Sequence, residues 1–93
     1  METRNIIVIG ASAGGFEALK TLVKKLPGDL DASIFVVWHI APGVTGVLPQ
    51  VLSREGKIPA KNAEDGEPIR SGVIYVAPPD HHLLIEPGRV RVT

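Results

Sequence analysis

Several features that would point to particular classes of protein are missing from this sequence of 93 residues. It has no cysteine, which excludes a disulfide scaffold and a zinc ribbon and fits a reducing compartment. Ten basic and ten acidic residues leave no net charge, so nothing favours a nucleic acid or an anionic membrane as partner. Two phenylalanines, one tryptophan and one tyrosine are too few for a base-stacking surface.

Long apolar runs are also absent. No segment approaches the roughly 18 consecutive apolar residues that a membrane span requires. The amino end enters a strand pattern after four polar residues, which is not the layout of a signal peptide. We therefore expect a single small cytoplasmic domain over residues 1–93, without direct membrane insertion.

The first half of the sequence has the pattern of a βαβ unit. Residues 5–9 are apolar on both faces, which is typical of a central strand in a parallel sheet. Apolar residues then recur every three or four positions from Phe16 to Leu26, which predicts a helix that Pro27-Gly28 ends. A second apolar strand runs from Ser33 to Trp38 and ends at His39. The two strands should be parallel, with a right-handed crossover.

The second half predicts a helix, short strands and a hairpin. The predicted elements are a helix over 44–54 with Pro49 in its first turn, a short strand at 58–60, a turn at 64–67, a strand at 72–77, and a hairpin of 82–86 with 89–93 about Pro87-Gly88. The expected fold is α/β: a doubly wound, Rossmann-like open parallel sheet with an appended β-hairpin.

The glycine-rich stretch after the first strand has two mechanistic interpretations. One is the dinucleotide fingerprint G-x-G-x-x-G, in which the middle glycine lets a pyrophosphate approach the backbone. Gly10 and Gly15 occupy the outer positions, but Ser12 stands in the middle one. The fingerprint also requires an acidic residue at the end of the second strand, where this sequence has His39. Nucleotide binding is therefore the weaker interpretation.

The other interpretation is the nucleophile turn G-x-S-x-G, which Gly10 to Gly14 match between a strand and a helix. Small neighbours allow a sharp turn that exposes the Ser12 hydroxyl. The backbone N–H groups of Ala13 and Gly14, followed by Gly15, lie where an oxyanion would form. The simpler alternative is that Ser12 only caps the helix.

His39 favours the nucleophile turn. In an open parallel sheet, reactive groups gather beyond the carboxyl ends of the strands. Ser12 follows the first strand and His39 ends the second, so both belong to that edge. If the strands are neighbours, about 4.8 Å apart, imidazole and hydroxyl can meet as base and nucleophile.

Four motifs together resemble the CheB-type protein-glutamate methylesterases. They are Ile7–Gly15, Val36–His39, Ala63–Gly66 and Val76–Leu84, in the order and spacing of that family over essentially the whole chain. The resemblance implies a doubly wound parallel sheet and hydrolysis of glutamate methyl esters on chemoreceptors, with deamidation of certain glutamines. It implies Ser12 as nucleophile and His39 as general base of a Ser-His-Asp triad, with no metal and no cofactor.

The chain departs from the family pattern in several ways. Trp38 stands where the family commonly has Gln, and Ala13 where it often has Thr, and we expect both to alter the contacts around the site and the substrate preference. The sequence begins four residues before the first strand, so we expect the stand-alone branch without a receiver domain, whose protein substrates need not be chemoreceptors. The family's catalytic aspartate lies downstream of the hairpin, so residues 1–93 correspond to the amino-terminal part of the catalytic domain.

Three further expectations concern the triad acid, the edge of the sheet and a pair of adjacent histidines. Asp65 and Asp80 are the candidates within the chain for a substitute triad acid, and without an orienting acid the activity should be weak or absent. An open sheet edge would favour self-association or pairing with another chain. His81 and His82 are adjacent on a strand, point to opposite faces and so should not hold one metal together.

Overall fold

The computed structural model describes residues 5–12, 15–39, 48–78 and 81–93. Apolar runs form its strands, and apolar residues three or four positions apart form its helices. The elements are β1 (Ile6–Ser12), α1 (Phe16–Lys25), β2 (Ser33–His39), α2 (Leu48–Glu55), β3 (Ala60–Asn62), β4 (Ile74–Val76), β5 (Leu83–Glu86) and β6 (Arg89–Val92). Neither described helix is long and apolar enough to cross a membrane.

Four strands form an open parallel sheet in the order β1-β2-β4-β3, and β5 and β6 form a separate antiparallel hairpin. Helix α1 connects β1 to β2, and α2 lies between β2 and β3 along the chain. Strand β4 pairs with both β2 and β3, so it fills the space between them. The predicted open parallel α/β sheet with an appended hairpin is confirmed.

The two faces of the sheet are covered by different parts of the chain. Both described helices pack on one face, where alternate residues of β2 and β4 meet α1 and α2. This cluster contains Leu19, Val23, Ile34, Val36, Leu48, Leu52, Ile58, Ile74 and Val76. The opposite face has a smaller cluster beneath the hairpin, made of Phe35, Ala63, Ile69, Tyr75 and Val90. The aromatic rings of Phe35 and Tyr75 stack at a centroid distance of 5.2 Å.

Backbone hydrogen bonds attach the hairpin to the segment after β3. The amide of Gly66 donates to the carbonyl of Val90, and the amide of Val90 donates to the carbonyl of Glu67. At the hairpin turn, Gly88 has a φ of +79°, as the third position of a type II turn requires. The predicted hairpin and the predicted turn at 64–67 are both confirmed, the latter by a 3.2 Å bond from the Glu67 amide to the Glu64 carbonyl.

Two predictions about strands are wrong. Strand β1 was expected in the centre of the sheet, but in the described part of the chain it lies at an edge, with Val8 61% exposed. The apolar pattern of β1 shows that the strand is suited to burial on both faces. Which strands pair with it depends on the rest of the fold. The short strand predicted at 58–60 is observed at Ala60–Asn62, because Ile58 packs into the helix-side core instead of pairing.

The helix predicted over 44–54 is observed as Leu48–Glu55, and residues 44–47 lie outside the described ranges. Pro49 is its second residue, within the first turn, where a missing backbone N–H costs no helical hydrogen bond. The Ser53 hydroxyl then ties α2 to β3, since it donates to the Ala60 carbonyl at 3.1 Å and accepts from the Ala60 amide at 2.8 Å.

Candidate active site

Ser12 and His39 end two neighbouring parallel strands and face each other in register. The pairing of β1 with β2 runs without interruption from Ile6 opposite Ser33 to Ser12 opposite His39. Adjacent strands lie about 4.8 Å apart, so the backbones of these two residues are direct neighbours at the end of the sheet. The structure therefore brings the predicted nucleophile and the predicted base to one point on the carboxyl edge of the sheet.

The geometry of Gly10 does not suit a dinucleotide fingerprint. Strand β1 does not stop at this glycine, as the sequence suggested, but continues through it to Ser12. Gly10 pairs with Val37 inside the sheet and does not have a positive φ. A Cβ atom added to it would meet no described atom within 4 Å. In the fingerprint the first glycine forms the tight turn. Here that position is ordinary strand.

The start of α1 shows that Ser12 is not the helix cap. Helix α1 begins at Phe16, and its N-cap residue is Gly15, with φ of −90° and ψ of 2°. Ser12 lies three positions earlier, in β1. The predicted oxyanion donors Ala13 and Gly14 lie outside the described residues, whereas Gly15 joins that segment to the helix. Gly15, and not Ser12, is therefore the N-cap residue of α1.

Asp65, a candidate triad acid, is held in a structural role. Its Oδ1 atom accepts hydrogen bonds from Arg91 Nε at 2.8 Å and from the Val92 amide at 2.9 Å. The pKa of the Asp65 carboxyl is lowered, chiefly by the bond from Val92 and next by the bond from Arg91. Asp65 also follows β3, which β4 separates from β2.

With strands about 4.8 Å apart, β3 lies two strand spacings, about 10 Å, from β2. Asp65 belongs to the attachment of the hairpin, a role that the sequence prediction missed. The sequence signal for this role was an aspartate in a turn together with Arg89 and Arg91, which alternate along the predicted hairpin strand. The other candidate acid, Asp80, lies outside the described residues.

A second ion pair fixes the same turn. Lys61 Nζ lies 2.7 Å from Glu67 Oε1, while Glu67 Oε2 accepts a hydrogen bond from the Glu64 amide at 2.6 Å. The hydrogen bond that Lys61 donates to the Glu67 carboxylate raises the pKa of Lys61. These contacts close the turn on itself, so we assign both charged side chains to structure.

His82, the second of two adjacent histidines, lies at the open end of the hairpin. The backbone of His82 forms two hydrogen bonds with that of Thr93, at 2.8 and 3.0 Å, and so extends the hairpin. Within the described ranges there is no group of three or more histidine, aspartate or glutamate side chains suited to a metal ion.

Comparisons with known proteins identify the family of this chain. The CheB methylesterase family pattern matches residues 7–93. A protein-glutamate methylesterase/protein-glutamine glutaminase of Halalkalibacterium halodurans is 50% identical over 80 residues, which are 86% of this chain and 23% of that protein. A putative protein of the same description from Leptospira interrogans is 46% identical over 80 residues and is covered to 42%.

A solved structure shares the fold. The crystal structure of the Thermotoga maritima CheB methylesterase catalytic domain matches 98% of this chain with a TM-score of 0.84 and 38% sequence identity. The match covers 49% of that chain, so the present sequence spans half or less of each of these three proteins. The family pattern, the relatives and the shared sheet lead to one conclusion: this chain belongs to the CheB methylesterase family.

Proposed function

We propose that this chain carries the nucleophile and the general base of a protein-glutamate methylesterase. The observation that supports this most directly is the register of Ser12 with His39 at the carboxyl ends of β1 and β2. The names of the relatives supply the reaction, hydrolysis of a glutamate methyl ester in a protein, with glutamine deamidation beside it. The partner is then a methylated receptor or another protein that presents such a side chain.

The acylation half of the reaction uses both residues. The Ser12 hydroxyl oxygen attacks the ester carbonyl carbon while the His39 imidazole takes the hydroxyl proton. The carbonyl oxygen becomes an oxyanion, for which the backbone N–H groups of Ala13 and Gly14 are the proposed donors, with Gly15 completing the turn. Collapse of this intermediate breaks the bond to the methoxy group, which leaves as methanol with the proton from His39.

Deacylation repeats the chemistry with water. His39 takes a proton from a water molecule, whose oxygen attacks the glutamyl ester on Ser12. The bond to Ser12 breaks, the serine oxygen regains the proton from His39, and the product is a glutamic acid side chain, which ionises to the carboxylate by releasing a proton to water. With a glutamine side chain, the first leaving group is ammonia in place of methanol, and the second half is unchanged.

The acid that orients His39 is proposed to come from a segment outside residues 1–93. The Asp65 carboxylate already accepts hydrogen bonds from Arg91 and Val92. The chain spans about half of the matching catalytic domain. Loss of the orienting carboxylate lowers the rate of a serine triad by about 10⁴-fold. We therefore expect the 93-residue chain alone to hydrolyse esters slowly.

The test measures acylation as well as turnover. Methanol release from a methylated receptor fragment gives the turnover, and mass spectrometry after exposure to an activated ester detects the acyl group on Ser12. We expect Ser12→Ala to abolish the adduct and His39→Ala to slow its formation. Ser71→Ala is the matched control, because Ser71 is an exposed serine that bonds to Asp31.

An adduct that forms equally in the wild type and in Ser12→Ala, together with equal methanol release, contradicts the proposal. That result would favour a non-catalytic interaction module that has kept the fold. Calorimetry with NAD addresses nucleotide binding at the glycine turn, for which no heat of binding is expected.

A further inference from the structure

The hairpin lies lengthwise on the sheet, and its turn is at the amino edge, where the strands begin. The Ile69 amide donates a hydrogen bond to the carbonyl of Gly88 in that turn. The next residue, Arg70, accepts through its carbonyl a hydrogen bond from the hydroxyl of Ser33, the first residue of β2. The open end of the hairpin is therefore directed toward the carboxyl edge, which carries the proposed catalytic residues.

The connection from β4 to the hairpin lies at that carboxyl edge. The Ala77 amide donates to the Val36 carbonyl at 2.9 Å, so the chain stays beside β2 after β4 has ended. The His81 amide then donates to the Pro78 carbonyl at 3.3 Å, and the hairpin pairing starts at the next residue. Since β4 pairs with β2 on the side away from β1, the open end of the hairpin flanks the candidate site on that side.

The outer face of the hairpin carries exposed side chains at this end. On the inner face, Val90 is buried, and Leu83 and Val92 pack against the same cluster. Side chains alternate along a strand, so Leu84 and His82 lie on the outer face. Both are exposed, Leu84 to 51%. We call the surface formed by these two residues the hairpin rim.

The charged side chains around Leu84 are paired with one another. Arg91 stands opposite Leu84 and binds Asp65 at 2.8 Å, while Arg89 binds Glu86 at 2.6 Å. Two positive and two negative charges leave this part of the surface without net charge. An apolar side chain surrounded by polar groups is a common arrangement in protein-binding surfaces. The hairpin rim thus suits an apolar side chain of a polypeptide better than a strongly charged one.

We propose that the hairpin rim binds the polypeptide that flanks the target glutamate and so helps to select which protein side chain reaches Ser12. This inference rests on the proposed function, because the substrate there is a protein. A polypeptide that presents an ester to Ser12 extends past the flanks of the site, and the hairpin rim continues the flank on the side of β4.

The expected spacing follows from strand geometry. Packed layers of sheet lie about 10 Å apart, and Leu84 is two residues, about 7 Å, along the hairpin from His82. An extended segment of about five residues, or about 17 Å, spans both distances. Leu84 is therefore within reach of an apolar residue about five positions from the target glutamate.

Photocrosslinking tests this contact without depending on hydrolysis. Leu84 of the 93-residue chain is replaced with p-benzoylphenylalanine, and the protein is irradiated with a methylated receptor fragment. We expect a crosslink within about five residues of a methylated glutamate, located by mass spectrometry. The same replacement at Leu22, an exposed leucine on α1, is the matched control and should not crosslink there.

Kinetics test the effect on substrate selection. Leu84→Lys should raise the KM for the methylated receptor fragment about tenfold, because it places an unpaired charge against an apolar side chain. The kcat should change by less than about twofold, since binding is lost without loss of chemistry. His82→Ala should raise the KM in the same direction, and Leu22→Lys should leave it unchanged. Acylation of Ser12 by a small activated ester, which does not extend to the hairpin rim, measures the chemistry separately.

Three results would overturn the proposal. One is the absence of a crosslink near a methylated glutamate although the small ester acylates Ser12, a result that leaves the proposed function intact. Another is an equal crosslink from position 22, since the contact would then be unspecific. The third is a KM that Leu84→Lys does not change. Failure of the small ester to acylate Ser12 contradicts the proposed function alone, because the crosslink still decides whether the hairpin rim binds the substrate.

Discussion

Gly56 shows at the scale of single residues how closely the two helices approach. This glycine follows α2, and its amide donates to the Leu52 carbonyl at 3.1 Å. A Cβ atom added to it would lie 2.9 Å from the carbonyl oxygen of Val23 and closer still to the Val23 side chain. Val23 is buried in the helix-side core and has little room to move. Only a residue without a side chain fits here.

Replacing Gly56 with alanine should therefore destabilise the fold. Overpacking of this kind costs about 1–3 kcal/mol of unfolding free energy, which urea denaturation can measure. Gly28→Ala is the control, since its added Cβ would meet Lys57 at an ordinary 3.4 Å. If the two variants are equally stable, the close approach of α1 and the end of α2 is not as described.

The Tyr75 hydroxyl gives a second residue-scale prediction. It accepts a hydrogen bond from the Arg70 amide at 2.8 Å and donates to the Pro68 carbonyl at 3.2 Å, while the ring is buried. Tyr75→Phe leaves both backbone groups without this partner and should cost about 1–3 kcal/mol in urea denaturation. Thr21→Val removes an exposed hydroxyl that bonds to Glu17, where water can replace it, and should cost less.

At the scale of elements, the carboxylate of Asp65 helps to attach the hairpin to the turn after β3. Asp65 binds both Arg91 and the backbone of Val92 in β6, and its pKa is lowered by those bonds. The unfolded chain then takes up a proton at a higher pH than the folded chain does. Above the ordinary aspartate pKa of about 4 the stabilisation is complete, and it is lost as the pH falls through the folded pKa.

Asp65→Asn should therefore remove part of the pH dependence of stability. We expect the wild type to be more stable than the variant at pH 7 and the difference to shrink as the pH falls below the ordinary aspartate pKa of about 4, measured by urea denaturation. Asp29→Asn, in the exposed turn after α1, is the control for loss of an acidic charge. A difference that stays constant with pH would contradict the ionic attachment.

Elements governed by local pattern could be predicted from the sequence, and those governed by distant partners could not. The helix from Phe16 is encoded in its own periodicity, and the hairpin is encoded in Pro87-Gly88 and the apolar residues on either side. The position of β1 at an edge depends on which segments exist to pair with it. The two-residue displacement of β3 depends on Ile58 being taken into the core by α2.

The candidate site divides in the same way. The pairing of Ser12 with His39 could be predicted because a βαβ unit makes its strands parallel and brings their carboxyl ends together. The structural role of Asp65 could not, because it depends on the contact of its turn with Arg91, 26 positions further along the chain. Which acid orients His39 stays a prediction that concerns residues outside this chain.

At the scale of the whole molecule, protection should decline across the sheet from β4 to β1. Strand β4 is paired on both sides and buried on both faces, whereas β1 is paired on one side and exposed. We expect the amides of Ile74–Val76 to exchange with solvent most slowly and those of Ile6–Gly10 much faster, as hydrogen-exchange mass spectrometry can measure. Equal protection in the two strands would mean that β1 is covered in solution.

The register of β1 with β2 has a consequence for how the length of the chain can vary. The two strands start together, where the Ser33 amide donates to the Asn5 carbonyl, and seven residues later they end together at Ser12 and His39. An insertion or deletion in the connection between α1 and β2 leaves that count unchanged. A single residue removed between Ile6 and Ser12 would place the serine one rung short, opposite Trp38 in place of His39. Equal strand length, more than the identity of any one apolar residue, thus decides which residue of β1 stands opposite His39.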